Sequence, residues 1–331
     1  MAQPPNGSGH NALSDVFGRM IELSRSSPAP TLAERLDRLE RLRTLTSDNE
    51  VRFARAISAD FGHRSMTETA IAETLFVLGE IKHAAKHLKR WMAPQRVATQ
   101  IQFLPGRNRL IPQPLGVIGI IAPWNYRLRL TLAPTVAAIA AGNRAMIKPS
   151  ELTPRFAALL QETIAARFDA TEIAVTGVDD DIARAFAALP FDHLIFTGST
   201  RVGRLVAEAA GRNLTPVTLE LGGKSPAIVD RSANLDEVTA RIAYGKLLNA
   251  GQTCIAPDYA LVPADSIEAF ATKLQAHIQR MYGTDPGNAD YTAIISDSHY
   301  ARFERLVTDA AAKGARILQT APPDDPAWKS K

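Results

Sequence analysis

Between residues 117 and 221 the chain passes through five short apolar runs, at 117–121, 145–148, 173–176, 193–197 and 217–221, with a helical stretch between each pair. The runs lack the polar alternation of a strand with one wet face, so each is expected to be buried on both sides. Helices intervening between such strands make successive strands parallel. The pattern predicts an α/β fold, a doubly wound parallel sheet of Rossmann-like type, with helices at 131–141, 153–167, 179–189 and 201–210.

The flanks read differently. Residues 13–24, 31–59 and 66–91 carry apolar side chains at three- and four-residue spacing and predict N-terminal helices. Residues 99–104 and 109–113, joined by Pro105-Gly106-Arg107-Asn108, predict a two-stranded arm, with Pro112 and Pro114 suited to an edge. A second α/β unit begins near Gly223, with strands expected at 226–229, 260–262 and 316–319 and helices at 236–248, 267–282 and 299–313. The chain then ends in a loop-like run at 322–328. The expected domains are 1–222, holding the helices, the arm at 99–113 and a dinucleotide-binding sheet, and 223–331, an incomplete catalytic domain.

Composition narrows the function classes. Of 331 residues, 46% are hydrophobic and 22% charged, with a net charge of +4. The charges alternate in sign, as in Glu34-Arg35-Leu36-Asp37-Arg38-Leu39-Glu40-Arg41, which fits a solvated helix face and not a nucleic-acid stripe. The longest apolar stretches, 115–124 and 130–141, fall short of the ~20 residues that cross a bilayer. No secretory leader is read at the start, and a cytoplasmic location is expected. A single cysteine excludes an internal disulfide and any thiolate metal cluster.

Ligands of doubly wound sheets bind at the carboxyl ends of strands, and five polar or glycine-rich segments stand in suitable places. Phe196-Thr197-Gly198-Ser199-Thr200 joins a strand to a helix, where free N–H groups and the helix dipole suit a phosphate; a tight turn capped by Ser199 is the other reading. Lys148-Pro149-Ser150-Glu151 could hold ribose hydroxyls, or Ser150 could cap a helix beside a solvated Lys148. Asn125, in Pro123-Trp124-Asn125-Tyr126, is a neutral hydrogen-bond donor, or part of a turn stapled by Trp124. Glu220, within an apolar strand, could be a general base raised toward neutrality by burial, or a structural partner of Lys224. Cys254 follows Gly251-Gln252-Thr253 and is either a reactive thiol or a small buried residue. His83 and His87 lie one helical turn apart among lysines and read as a basic solvated face.

Taken in order, Pro123-Trp124-Asn125-Tyr126, Lys148-Pro149-Ser150-Glu151, Phe196-Thr197-Gly198-Ser199-Thr200, Leu219-Glu220-Leu221-Gly222-Gly223-Lys224-Ser225-Pro226 and Gly251-Gln252-Thr253-Cys254 resemble the aldehyde dehydrogenase superfamily. The run from Asn249 to Tyr259 resembles its class-3-like branch, which includes coniferyl aldehyde dehydrogenases. The resemblance implies NAD-dependent oxidation of an aldehyde, with NADP the alternative cofactor. It implies Cys254 as nucleophile, Asn125 and the Cys254 N–H as oxyanion donors, and Glu220 as the base that activates water. Lys148 and Glu151 are implied at the adenosine ribose, Gly198 and Ser199 at the pyrophosphate, and Leu221 among the cofactor contacts. The substrates implied are aromatic aldehydes such as coniferyl aldehyde, or medium-chain aliphatic ones, and the full-length assembly implied is a homodimer.

This sequence departs from the family pattern in two places. Arg127 stands where the family usually has proline, with Arg129 close behind. The family's Glu-Ile-Phe-Gly-Pro segment, whose glutamate binds the nicotinamide ribose, and a later strand are not in these 331 residues. Three readings stay open: aldehyde oxidation by a complete protein, a truncated remnant that binds nucleotide without turnover, and a thiol acyltransferase that uses no nicotinamide.

Overall fold

The computed structural model describes residues 7–285 and 288–320, and the chain divides into two compact units. One comprises the described part of Met1–Phe53 with Ala72–Glu220. The other comprises Ala54–Ile71 with the described part of Leu221–Lys331.

The first unit is built on β3 (Val117–Ile121), β4 (Arg144–Lys148), β5 (Ile173–Val175), β6 (His193–Gly198) and β7 (Val217–Leu221). Their order is β5-β4-β3-β6-β7, with β3 parallel to β4 and β6, and β4 parallel to β5. The chain moves outward from β3 to β5, then returns to lay β6 on the other side of β3. That reversal creates the switch point at which open α/β sheets bind ligands. Val117, Ile118, Ile120, Ala145, Met146 and Ile147 are all buried, as the unalternating runs require. β6 and β7 instead alternate, β6 between half-buried and buried positions over 193–196 and β7 between half-buried and exposed ones. At Gly119 a Cβ would lie 2.7 Å from Leu194 and the Phe191 ring, so glycine lets β6 approach β3.

Helices α6 (Arg127–Ala140), α7 (Pro154–Ala165), α8 (Asp180–Ala187) and α9 (Thr200–Gly211) connect these strands. The N-terminal helices are α1 (Gly7–Ser26), α2 (Leu32–Asp48) and α5 (Leu75–Trp91), and α2 packs on α5 and α6. Thr31 begins α2 with a capping box: its hydroxyl accepts the Glu34 N–H, and the Glu34 carboxylate accepts the Thr31 N–H at 2.7 Å.

Two long predicted helices are broken. The stretch 31–59 divides at Asn49, whose amide donates to the Leu45 carbonyl at 2.9 Å and ends α2 before α3 (Glu50–Phe61). The stretch 66–91 starts as α4 (Met66–Thr69) and widens into one π-helical turn, Ala70–Thr74, before α5. Such turns admit one extra residue per cycle and shift the side chains that follow.

The arm is displaced from its predicted place. Its strands are β1 (Gln95–Val97) and β2 (Asn108–Leu110), antiparallel with Arg96 opposite Arg109. Residues 101–103 form a 3₁₀ turn instead of a strand. Their backbone groups are satisfied locally, Phe103 N–H by Gln100 and Leu104 N–H by Ile101, while the Thr99 hydroxyl accepts the Asn108 N–H.

In the second unit β8 (Ser225–Ile228) and β9 (Pro257–Leu261) pair in parallel, connected through α10 (Leu235–Leu247), which packs on α11 (Ile267–Tyr282). Asn234 caps α10 by accepting the Asp236 and Glu237 N–H groups. α12 (Asp297–Ala312) follows. The strand expected at 316–319 is not formed: the segment is irregular, and the Gln275 and Gln279 amides on α11 donate to the carbonyls of Gln319 and Thr320. Side-chain donors there take the place of a ladder. The predicted loop at 322–328 lies outside the described residues. Among the described residues no helix is long and apolar enough to cross a membrane.

Candidate active site

The cofactor-type segments gather at the carboxyl edge of the five-stranded sheet. In the parallel ladders Ile121 pairs with both Lys148 and Phe196, so the ends of β4, β3 and β6 stand in one rank. Neighbouring strands are about 4.8 Å apart, which keeps the residues just beyond that rank within reach of one nucleotide. Lys148 is buried, not solvated, and its Nζ lies 2.9 Å from Glu151 Oε2. Burial pushes the half-exposed Glu151 carboxyl upward. Its own backbone N–H and the Lys148 ammonium outweigh that push and hold it below the usual carboxylate range. Ser150 does not cap α7; its hydroxyl accepts the Leu152 N–H and its carbonyl accepts the Thr153 hydroxyl, forming the turn that ends β4.

After β6, Ser199 caps α9, accepting the Val202 N–H at 3.3 Å. The cap reading is the one observed, and the capped helix still presents its dipole at the strand end. Gly198 is required by a neighbour: a Cβ there would meet the buried Phe196 ring at 2.6 Å. A cation–carboxylate pair, a strand-to-helix turn and a helix N-terminus in one rank fit the ribose and pyrophosphate of a dinucleotide.

Asn125 is half-buried in the turn between β3 and α6. Arg127, 1% exposed, donates from Nε to the Trp124 carbonyl at 2.9 Å. Arg129 lays its guanidinium over the Phe76 ring, 3.9 Å from the centroid. The two cations thus serve helix packing. Glu73, on the π-helical turn, is fully buried and accepts the N–H groups of Leu128 and Arg129 at 2.7 and 3.3 Å. At the other end of α6, Arg35 donates to the Ala140 carbonyl at 3.2 Å.

Glu220 is exposed, so the burial expected to make it a base is not present in this structure. Its alternative partner is also corrected: Lys224 pairs with Asp258 at 3.0 Å. The open face of β7 accounts for the exposure.

In the second unit Cys254 is exposed. It follows three successive left-handed residues, Asn249, Ala250 and Gly251, with φ of 54°, 52° and 74°. At Gly251 a Cβ would lie 2.9 Å from the Lys246 carbonyl. Gln252 is buried and ties the loop down: its Nε2 donates to the carbonyls of Asn249 and Ala293, both at 3.0 Å, and its Oε1 accepts the Ile295 N–H at 3.0 Å. Glu68 accepts the Asn249 N–H at 3.1 Å and the Thr292 hydroxyl at 3.0 Å. A Cβ on Gly223 would lie 3.4 Å from the Cys254 carbonyl, so the entry to β8 runs close against this loop.

Sequence reasoning did not single out Glu68 or Glu73. The available signal was an acid amid small and apolar residues, since Ala72, Thr74 and Val77 around Glu73 are all buried. His83 and His87 lie ring to ring at a tilt, with centroids 4.2 Å apart, and both lie against Trp91. Among the described residues no three His, Cys, Asp or Glu side chains are placed to hold a metal ion.

Comparison with known proteins bears on the family and the fold. Residues 24–327 match the model of the aldehyde dehydrogenase family. A Pseudomonas aeruginosa protein named "Probable coniferyl aldehyde dehydrogenase" is 45% identical over 93% of this chain and 65% of its own length. The coniferyl aldehyde dehydrogenase of a Pseudomonas species is 42% identical over 95% of this chain and 65% of its own. The substrate-bound structure of Staphylococcus aureus AldH superposes with a TM-score of 0.87 at 36% identity, covering 91% of this chain and 66% of that one. The chain spans about 65% of the length of the curated relatives it matches. Family model, relatives and fold converge, and the chain belongs to the aldehyde dehydrogenase family.

Proposed function

We propose that the chain carries the nucleotide-binding and nucleophilic residues of an enzyme that oxidises an aldehyde to the carboxylic acid. The observation that carries this reading is Cys254: the only cysteine stands exposed on a loop pinned by buried side chains, where a nucleophile is needed and a packing residue is not.

The Cys254 thiolate attacks the carbonyl carbon, forming a C–S bond as the carbonyl electron pair moves onto oxygen. The Asn125 side-chain amide and the Cys254 N–H donate to that oxyanion. A nicotinamide cofactor, when bound, would supply the hydride acceptor that passage from thiohemiacetal to thioester requires. Glu220 removes a proton from the water that attacks the thioester; the C–S bond breaks and the carboxylic acid leaves. Lys148 and Glu151 would hold the adenosine ribose, Gly198 and Ser199 with the α9 N-terminus would face the pyrophosphate, and Leu221 would complete the cofactor contacts. The Glu151 carboxylate repels a 2′-phosphate, which favours NAD over NADP.

The names of the relatives support an aromatic substrate such as coniferyl aldehyde, with medium-chain aliphatic aldehydes as the competing class. The arm is read as the contact of a full-length homodimer, and the location as cytoplasmic. A second reading applies to the 331 residues taken alone: nucleotide binding without turnover. It is favoured by the containment of Lys148, Glu151, Gly198 and Ser199 within one unit.

The test is NADH formation from coniferyl aldehyde, followed by absorbance. Turnover abolished by Cys254→Ala supports oxidation through the thiol, with Glu220→Gln accumulating a thioester visible by mass spectrometry. NAD binding by calorimetry with no NADH formed supports the second reading. Failure to bind NAD at all would overturn both.

A further inference from the structure

The turn ahead of Cys254 is costly to hold. A left-handed conformation at a residue with a side chain costs about 1 kcal/mol or more, and Asn249 and Ala250 both adopt it before Gly251. Such a turn persists where its surroundings over-determine it. Gln252 provides part of that hold from within the loop. The rest comes from a different element, the short helix α4, through Glu68. Its carboxylate takes the Asn249 N–H with both oxygens, at 3.3 and 3.1 Å, five residues ahead of Cys254. Thr292 donates to the same carboxylate, and Ser65 accepts the Glu68 N–H at 3.3 Å, fixing the backbone that carries it.

The environment gives Glu68 little reason to be there as a surface acid. It is half-buried, and burial pushes its carboxyl above the usual carboxylate range despite the Thr292 and Asn249 hydrogen bonds and the charge of Arg64. Tyr282 and Tyr291 lie close enough to feel its charge, and Tyr282 is pushed up to about 12, chiefly by burial. An acceptor kept at that cost, and aimed at the first residue of a strained turn, points to a role in the turn itself.

We propose that Glu68 is a positioning residue: by gripping the Asn249 N–H it locks the left-handed turn and so fixes where Cys254 presents its thiol. Cys254 as nucleophile is taken from the function proposed above, whereas the turn and its hold on Glu68 stand independently of it.

Because Cys254 is the only cysteine, iodoacetamide labelling read by intact mass reports it alone. Deuterium exchange of peptides covering residues 249–256 reports the turn. Glu68→Ala is expected to exchange there about tenfold faster and to alkylate about fivefold more slowly, across pH 6–10. Glu68→Gln keeps an acceptor oxygen and is expected to stay within about twofold of the wild type on both measures. Wild-type exchange and alkylation in Glu68→Ala overturn the assignment, as does a Gln variant as impaired as the Ala variant. If Glu68→Ala does not fold, Thr292→Val decides: it removes only a donor to Glu68, should speed exchange at 249–256 by about threefold, and overturns the role if it leaves exchange unchanged. None of these measurements uses NAD or aldehyde. A chain that makes no NADH but shows the exchange effect faults the oxidation reading and keeps the hold of Glu68. The converse result faults Glu68 alone.

Discussion

Glu73 and Arg35 hold opposite ends of one helix. The Glu73 carboxylate receives the N–H groups of Leu128 and Arg129 at the start of α6, and the Arg35 guanidinium donates to the Ala140 carbonyl at its end. An anion at the N-terminus and a cation at the C-terminus both match the helix dipole. Gly142, just beyond, has φ +88°, and a Cβ there would sit 2.6 Å from the Arg35 guanidinium carbon. The helix that follows the Asn125 turn is thus fixed by residues distant in sequence.

Removing the acceptor should therefore be expensive. Glu73→Ala leaves one buried and one part-buried helix N–H unsatisfied and is expected to lower unfolding free energy by about 2–3 kcal/mol; Glu73→Gln, which keeps an oxygen, should lose about 1 kcal/mol. Urea denaturation checks both, and an alanine variant as stable as the wild type would remove the clamp from consideration.

Acid stability should depend on Glu172. Burial pushes its carboxyl up, but hydrogen bonds and charge from Arg41 and Arg38, at 2.9 Å each, overcome that and hold it below the usual range. A depressed folded value means the ion pairs stabilise fully above the ordinary glutamate range, and that stability is lost as pH falls through the depressed value. The wild type should exceed Glu172→Gln by about 1–2 kcal/mol at pH 7 and converge with it in acid. A gap that stays constant from pH 7 to pH 3 would contradict the linkage.

What could be read without the structure follows from which interactions are local. The five strands, and the placement of Lys148, Ser199 and Asn125 at their ends, are written in short apolar runs whose length and composition suffice. The helix predicted at 31–59 failed at Asn49 because one side-chain amide competes with the backbone, an effect that periodicity does not register. Glu68 and Glu73 escaped because their partners are 181 and 55 residues away. The burial of Glu220 was misjudged because a strand of apolar texture was assumed to be covered, whereas alternate residues of β7 are open.

Gly251 should resist substitution. With φ at +74° and the Lys246 carbonyl 2.9 Å from a built Cβ, Gly251→Ala combines backbone strain with a contact to fixed backbone. A loss of about 2–3 kcal/mol is expected in thermal or urea unfolding. Gly211→Ala, on α9 with nothing within 4 Å of a built Cβ, should change stability by less than about 1 kcal/mol. Equal effects at the two positions would refute the reading of the turn.

Lys148 should govern nucleotide affinity more than folding. Lys148→Met retains most of the buried stem, leaves Glu151 half-exposed to water, and removes the ammonium. NAD affinity by calorimetry is expected to fall about tenfold with little change in Tm. An unchanged Kd would take Lys148 out of the ribose site.

The ribbon of β1 and β2 has a consequence of another kind. Each of its paired residues is exposed. Its apolar side chains, Val97 at 53% and Leu110 at 59% exposure, keep much of their surface in water and add less to the difference between folded and unfolded states than buried ones do. The ribbon is therefore a weak contributor to folding: stability constrains its side chains less than those of the buried sheet. Its sequence can drift, or be tuned by some other demand, while the sheet and its helices stay as they are.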